Sequence, residues 1–348
     1  MKTCLAPMDG ITDCAYRTLV SEIFTKYGDH NHELMLFGEF MSAEGYTRNP
    51  RKLSRHIVNV PHLPLIAQIY GGNGDNLIQT AIDIDRRYGH LFTGIELNIG
   101  CPSPKVMKCG AGMMCDRPNT INIVKQISES ISLPFSIKTR ILTEWDELQS
   151  QHDFILQCAQ YCSMITIHGR SYKQSHSGNV NRDYIYQIKS ELAHTPVIII
   201  GNGLDAYQDG LNRCQNLDGV MWQAAMMRPW VLTPHTPNLD EIYDAIMRHL
   251  HLSIAHQIWF DDESHFVYDG KYTGTLIQPT QEQIEEIILQ IPTQYADIEF
   301  HSIVEFRKHL FWYVSLIGNK EFKQSVVPIK SYAPLVAAIQ ELWSKQAT

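Results

Sequence analysis

Several short stretches of this 348-residue chain end apolar runs on groups that can hold or move a proton or a charge. The densest is Gly94 to Gly112, in which the strand-like G-I-E-L-N closes on Asn98 and is followed by Gly100, Cys101, Pro102, Lys105 and glycines 110 and 112. A free thiol, with an ordinary pKa of about 8.5, is mostly protonated at neutral pH yet gives up its proton readily, so it can serve as an acid. Phe135–Arg140 carries Lys138 inside an otherwise apolar run, where a lysine is costly to bury without a partner, and closes on Arg140. Pro64–Tyr70 carries Gln68, Met164–His168 runs into Gly169-Arg170, and Gly201-Asn202-Gly203 offers backbone N–H groups of the kind that grip anions. A lone strand-end histidine is usually a satisfied core residue, and the flanking Gly169-Arg170 is what marks His168 out. A strand that breaks into a polar residue, a thiol and glycines has the texture of a barrel enzyme at its catalytic mouth.

The elements that would position these groups recur regularly. Eight short β-type runs are expected at Cys4–Met8, Leu34–Phe40, Pro64–Tyr70, Gly94–Asn98, Phe135–Arg140, Met164–His168, Val197–Ile200 and Gly219–Trp222. They alternate with segments of helical period near Asp13–Tyr27, Asp75–Tyr88, Thr120–Ser130, Asp146–Tyr161, Arg182–Leu192 and Ala206–Cys214. Such alternation implies right-handed crossovers and a parallel sheet, and eight units fit a closed (β/α)8 TIM barrel better than an open sheet. In a closed barrel all the polar strand ends converge on one face. After Arg228-Pro229-Trp230 the pattern becomes mainly helical: Asn238–Trp259, a hairpin turning at Asp269-Gly270, then Gln281–Gln290, Ser302–Leu316 and Ser331–Trp343. The expected organisation is a catalytic barrel over 1–235 and a smaller helical domain over 236–348, with an acidic insertion around 260–300.

Bulk properties bound the function. With 44% hydrophobic and 19% charged residues the chain can bury a large core, and no apolar run approaches the roughly 20 residues of a membrane span. A cytoplasmic protein without a membrane partner is expected, and it is expected to be monomeric. Eight cysteines, at 4, 14, 101, 109, 115, 158, 162 and 214, form no C-x-x-C pair, so reduced thiols and no metal site are expected. The net charge of −8 argues, taken alone, against a nucleic-acid partner, but the acidic excess is concentrated in 239–300 and the segment after 300 leans basic.

The strand ends taken together resemble the tRNA-dihydrouridine synthase family of flavin enzymes. The resemblance runs from A-P-M-D-G-I-T-D at 6–13 and Tyr16-Arg17 through Gln68 with Gly71-Gly72, and is densest in E-L-N-I-G-C-P-S-P-K-V. It continues through I-K-T-R at 137–140, I-T-I-H-G-R at 165–170, Gly201-Asn202-Gly203 and D-G-V-M at 218–221, and reaches Lys308-His309 with Trp312-Tyr313. The resemblance implies FMN as cofactor, NADPH as a transient electron donor and tRNA as partner. It implies reduction of a uracil C5–C6 bond, with hydride to C6 and a proton to C5 from Cys101 as the catalytic acid. Pro7, Met8, Gln68, Lys138, His168, Asn202, Gly203, Gln223 and Ala224 are the implied cofactor contacts. Asn98 and Arg170 are candidates for orienting the base and its neighbouring phosphate, and Arg140 for bracing the Cys101 loop.

Two departures stand out. Where family members carry a Gly-Arg pair after the eighth strand, this chain reads Met221-Trp222-Gln223-Ala224-Ala225. The arginine is missing, Arg228 is the candidate to compensate, and a tryptophan there could crowd the backbone, so FMN is expected to bind more loosely than usual. The second departure is the longer, acidic 260–300 segment, read as a surface insertion. Two other readings stay open: a flavin barrel acting on a free pyrimidine, of the dihydroorotate dehydrogenase kind, and a non-catalytic RNA-binding barrel. The H-G-R run and the C-terminal helices favour RNA over the free pyrimidine.

Overall fold

A computed structural model describes residues 1–58, 63–101, 113, 116–141, 145–171, 173–174, 177–193, 198–202, 207–214, 216–270, 273–316 and 320–345. Its centre is a ring of parallel strands: β1 (Lys2–Leu5), β2 (Glu33–Phe37) with a short continuation β3 (Met41–Ser42), β4 (Leu65–Tyr70), β5 (Phe92–Asn98), β6 (Phe135–Ile141), β7 (Met164–Ser171), β8 (Ile198–Asn202) and β9 (Gly219–Trp222). β9 pairs with β1 through Cys4↔Met221, and β2 pairs with β4 through Leu36↔Leu65, which closes the ring. The TIM barrel read from the sequence is therefore the fold. The second strand departs from expectation. It is split at Gly38-Glu39-Phe40, where Gly38 N–H still bonds Ile66 O at 2.9 Å but the Glu39 carboxylate turns aside to accept the Gly10 N–H at 2.6 Å.

Helices follow the strands: α1 (Cys14–Tyr27), the short α2 (Ala43–Arg48) and α3 (Pro50–Leu53), α4 (Gly74–Tyr88), α5 (Arg117–Ser130), α6 (Trp145–Ala159), α7 (Arg182–Glu191) and α8 (Tyr207–Cys214). Their starts are written in local chemistry, since Asp13, Asn73, Asp116 and Asn181 each accept the N–H three residues on and so satisfy a helix-end donor. The strands alternate with a period of two. Ile95, Leu97, Ile137, Ile165, Ile167 and Val220 point outward into the main core under the helices. Cys4, Ile66, Met164 and Met221 form a small separate apolar cluster inside the barrel.

The C-terminal part comprises α9 (Leu239–Asp261), the hairpin β10 (Phe266–Tyr268) and β11 (Gly274–Leu276), α10 (Gln281–Gln294), α11 (His301–Tyr313), α12 (Lys320–Val326) and α13 (Tyr332–Ser344). α9 begins with a reciprocal cap between Asn238 and Glu241 and lies along α1. Arg248 of α9 reaches Glu22 of α1 and Glu285 of α10, both at 2.6 Å. The β10–β11 hairpin is clasped to the barrel's outer layer. Arg87 of α4 pairs with Asp269 and bonds Thr275 Oγ1 at 3.1 Å, while Leu276 N–H donates to Tyr88 Oη at 2.8 Å. Among the described residues no helix is long and apolar enough to cross a membrane.

Candidate active site

The inward positions of β4 to β7 become polar as the strands approach their C-terminal ends, and strand register places them side by side. Gln68 sits opposite Glu96, Asn98 opposite Lys138, Lys138 opposite Thr166, and Arg140 opposite His168. Glu96 is fully buried, Gln68 and Thr166 nearly so, and Asn98, Arg140 and His168 are also buried. These groups share one continuous set of hydrogen bonds. Glu96 accepts from Gln68 Nε2 through one oxygen and from Thr166 Oγ1, at 3.2 Å, through the other. Gln68 Oε1 accepts from Asn98 Nδ2 at 3.1 Å, and Asn98 Oδ1 accepts from Gly100 N–H, also at 3.1 Å.

Cys101 follows directly, a free and partly exposed thiol at the mouth. The Gly100 carbonyl accepts from Arg140 Nε at 2.8 Å, so Arg140 holds the backbone directly before Cys101. A Cβ on Gly100 would lie 2.9 Å from the Thr139 carbonyl carbon, which explains the glycine by close backbone approach. Arg140 is itself positioned by a further bond from Nη1 to Ser171 O at 3.3 Å. β7 shifts register against β6 between the pairs Arg140↔His168 and Ile141↔Ser171, and this irregularity lets Gly169 and Arg170 emerge beside the mouth. Arg170 Nη1 lies 3.3 Å from His168 Nε2, and its Nε donates to Gly178 O at 2.9 Å.

Electrostatics sharpen the site. Burial pushes the Glu96 carboxyl up to about 7, against lowering by the Gln68 hydrogen bond and the Lys138 charge. Burial and the neighbouring Arg140 bring Lys138 down to about 8, while Glu96 and the nearby Cys101 sulfur act in the opposite direction. The Lys138 ammonium makes no hydrogen bond among the described residues, so it presents an uncommitted cation on the inner wall.

The other expected cofactor residues divide. Pro7 is buried and Met8 half-buried just past β1, where Met8 N–H donates to Thr12 Oγ1 at 2.9 Å. Asn202 ends β8, with only its backbone described, and Gly203 lies outside the described residues, as do Lys105, Gly110 and Gly112. Gln223 is half-buried and Ala224 buried, opening a 3-10 turn, Ala224–Met226, immediately after β9. Trp222 does not crowd the barrel mouth. It is fully buried on the outer side of β9, stacked on Tyr207 with ring centres 5.9 Å apart, and it occupies the space a Cβ on Gly210 would need. Arg228 is exposed and lines a cavity of about 300 Å³ with Tyr207, Trp230 and Trp312.

Sequence reasoning missed Glu96, although it stands at an inward position two residues before Asn98 in the very stretch that was densest in signal. Glutamate in an apolar strand was the available clue, on the same cost argument that singled out Lys138. A second missed group is Asp9, Glu39 and His56, whose ligand atoms lie within 4.8 Å of one another. Glu39 there already holds the Gly10 N–H, and the buried Arg17 supplies a nearby positive charge.

Comparison with known proteins matches residues 4–257 to the family model described as dihydrouridine synthase (Dus). The chain belongs to the dihydrouridine synthase family. The matched span begins within β1, takes in the rest of the barrel and ends within α9. Among curated dihydrouridine synthase relatives, the Bacillus subtilis protein named "Probable tRNA-dihydrouridine synthase 2" is 28% identical over 262 residues, covering 71% of this chain and 77% of that protein. The Pseudomonas putida protein named "tRNA-dihydrouridine synthase B" is 24% identical over 354 residues, covering 98% of this chain and 91% of that protein. The Tyr16-Arg17 and Lys308-His309 pairs that contribute to the family resemblance have structural work here. Tyr16 donates to Ala225 O and stacks on His309 at 4.6 Å, and Arg17 holds the Thr12 and Val58 carbonyls at 2.6 Å.

Proposed function

We propose that this dihydrouridine synthase family member reduces the C5–C6 double bond of specific tRNA uridines. Residues 1–235 hold the chemistry and 236–348 dock the RNA. The observation that carries the reading is the Lys138 ammonium on the inner wall, without a hydrogen bond among the described residues and beside a partly exposed Cys101, in a barrel matched to this family over 4–257. That cation suits the electron-rich edge of a flavin ring, so FMN fits the residues present. Lys138, Gln68, His168, Pro7 and Met8 would hold the ring, and Asn202, Gly203, Gln223 and Ala224 the phosphate end. Bound FMN supplies the hydride for C6, replenished by NADPH.

The chain's own part is positioning and proton delivery. A uracil must leave its stack before C5 or C6 can be reached, and Asn98 and Arg170 stand at the mouth to orient it. Cys101 holds the proton destined for C5, on a loop fixed at Gly100 by Asn98 from one side and Arg140 from the other. The docking surface combines half-buried Arg307 and Lys308 with Trp312 on α11, while Phe306 and Tyr313 of the same helix are buried and both pack on His249 of α9. Phosphate contacts of that kind weaken steeply with salt.

The test combines cofactor and product. The purified protein is expected to show flavin absorbance in the visible, or to acquire it on adding FMN; a colourless protein that binds no FMN refutes the reading. Dihydrouridine mapping in tRNA from cells with and without the gene should reveal specific lost positions. Cys101→Ala should bind flavin normally yet reduce uridine at least about 100-fold more slowly, the scale of a lost general acid. Normal modification by that variant would refute the assigned acid.

A further inference from the structure

Glu96 contacts none of the residues assigned to chemistry except through an amide, yet its position gives it control over them. An ionised carboxylate can only accept hydrogen bonds. Gln68 must therefore turn its NH2 toward Glu96, which leaves its carbonyl oxygen for Asn98 Nδ2; Asn98 in turn has only its own carbonyl oxygen left to accept the Gly100 N–H. Thr166 Oγ1, donating to the second Glu96 oxygen at 3.2 Å, holds the carboxylate plane from across the barrel. All four side chains are at least nine-tenths buried, so water does not readily substitute for any of these links.

We propose that Glu96 is a positioning residue, which through the Gln68 and Asn98 amides fixes the Gly100 backbone and so the placement of Cys101. Without an acceptor at position 96 Gln68 loses the bond that fixes its amide, and only the Gly100 N–H then opposes a flip of Asn98. A flipped Asn98 would aim NH2 at the Gly100 N–H, donor against donor, and release the loop on that side. Arg140 would then hold Gly100 only by its carbonyl. The requirement is for an acceptor and not for a charge. A neutral carboxyl still offers its carbonyl oxygen to Gln68, and so does a glutamine, with Thr166 turning its hydroxyl from donor to acceptor. The elevated carboxyl of Glu96 is compatible with this arrangement, because the chain of bonds survives its protonation.

The assignment rests on the proposed roles of Cys101, Gln68 and Asn98, and its test separates the two. Full-length wild type, Glu96→Leu, Glu96→Gln and Gln68→Leu are alkylated with iodoacetamide and Cys101 labelling is followed by peptide mass spectrometry, which needs no flavin and no turnover. Glu96→Leu and Gln68→Leu should label Cys101 about tenfold faster than wild type, the scale of one lost directed hydrogen bond, and Glu96→Gln at the wild-type rate. With tRNA, Glu96→Leu should lower kcat about tenfold with KM unchanged, and Glu96→Gln should restore it. Equal labelling in wild type and both leucine variants overturns the proposal, as does a Glu96→Gln protein no better than Glu96→Leu. Gln68→Leu keeps the test decisive if Glu96→Leu fails to fold. A wild type that reduces no uridine refutes the proposed function while the labelling still judges Glu96.

Discussion

At the scale of single residues the site depends on a few positions where one atom decides the outcome. Gly100 is the clearest. Its N–H and carbonyl are both engaged, and a methyl group there would meet backbone atoms of Thr139 at 2.9 and 3.1 Å that cannot move without displacing β6. Gly100→Ala is expected to cost ~1–3 kcal/mol in urea unfolding, the range for forced overpacking, and to slow uridine reduction by misplacing Cys101. Most residues of the site were legible because their chemistry is anomalous for a strand: Lys138, Gln68 and Asn98 all interrupt apolar runs. Glu96 was as anomalous but looked ordinary without its partners, since only register across β4, β5 and β7 shows that one carboxylate serves Gln68 and Thr166 together.

Among the elements, α9 does most to join the two parts of the molecule, and its histidines give that junction a pH dependence. His256 is buried with neither ring nitrogen hydrogen-bonded among the described residues, and it lines a cavity of about 230 Å³ with Asp13, Glu39 and Glu305. Burial, with help from Arg17 and Arg248, lowers its pKa from 6.5 to about 3. The sign follows: the unfolded chain takes up a proton that the folded one refuses, so this contribution to stability is complete above pH 6.5 and is lost as pH falls toward about 3. His256→Leu should therefore flatten the fall of the urea midpoint with acidification. The opposite tendency of Glu39, raised to about 7, is present in both proteins and cancels in the comparison. An equally steep fall in the variant would show that His256 carries none of it. Elements were read well where local chemistry sets them, as at the capped starts of α1, α4 and α7. They were missed where packing sets them, as in the split between β2 and β3 and the short helices α2, α3 and α12.

For the molecule as a whole, the helical part is a cover as well as an RNA-docking candidate. Tyr16 of α1 is fully buried and stacks on His309 of α11, Tyr27 donates to Glu241 at 2.6 Å, and Arg51 bonds Phe260 O. A chain ending at residue 235 would uncover the face of α1 that α9 now buries. Such a truncation is expected to aggregate or to bind hydrophobic dyes strongly, even though it contains every barrel strand. A soluble, cooperatively unfolding 1–235 fragment would show instead that the barrel is self-sufficient. The β10–β11 hairpin belongs to the same joint, because Arg87 and Tyr88 of α4 hold it.

The sequence by itself determined the barrel and its polar strand ends. These follow from period-two apolar runs, capping residues and side chains too costly to bury idly, all of them local. Tertiary structure alone decided which way each group faces and what it spends its hydrogen bonds on. Trp222 stood as an obstacle at the mouth until pairing with Leu5 placed it outside, against Gly210 and Tyr207. Glu96 stood as one more strand residue until closure of the ring brought Gln68 and Thr166 to its two oxygens. A side chain's type is written at its own position, but its partners lie about 30 residues away in Gln68 and 70 in Thr166, and only the folded register brings them into reach.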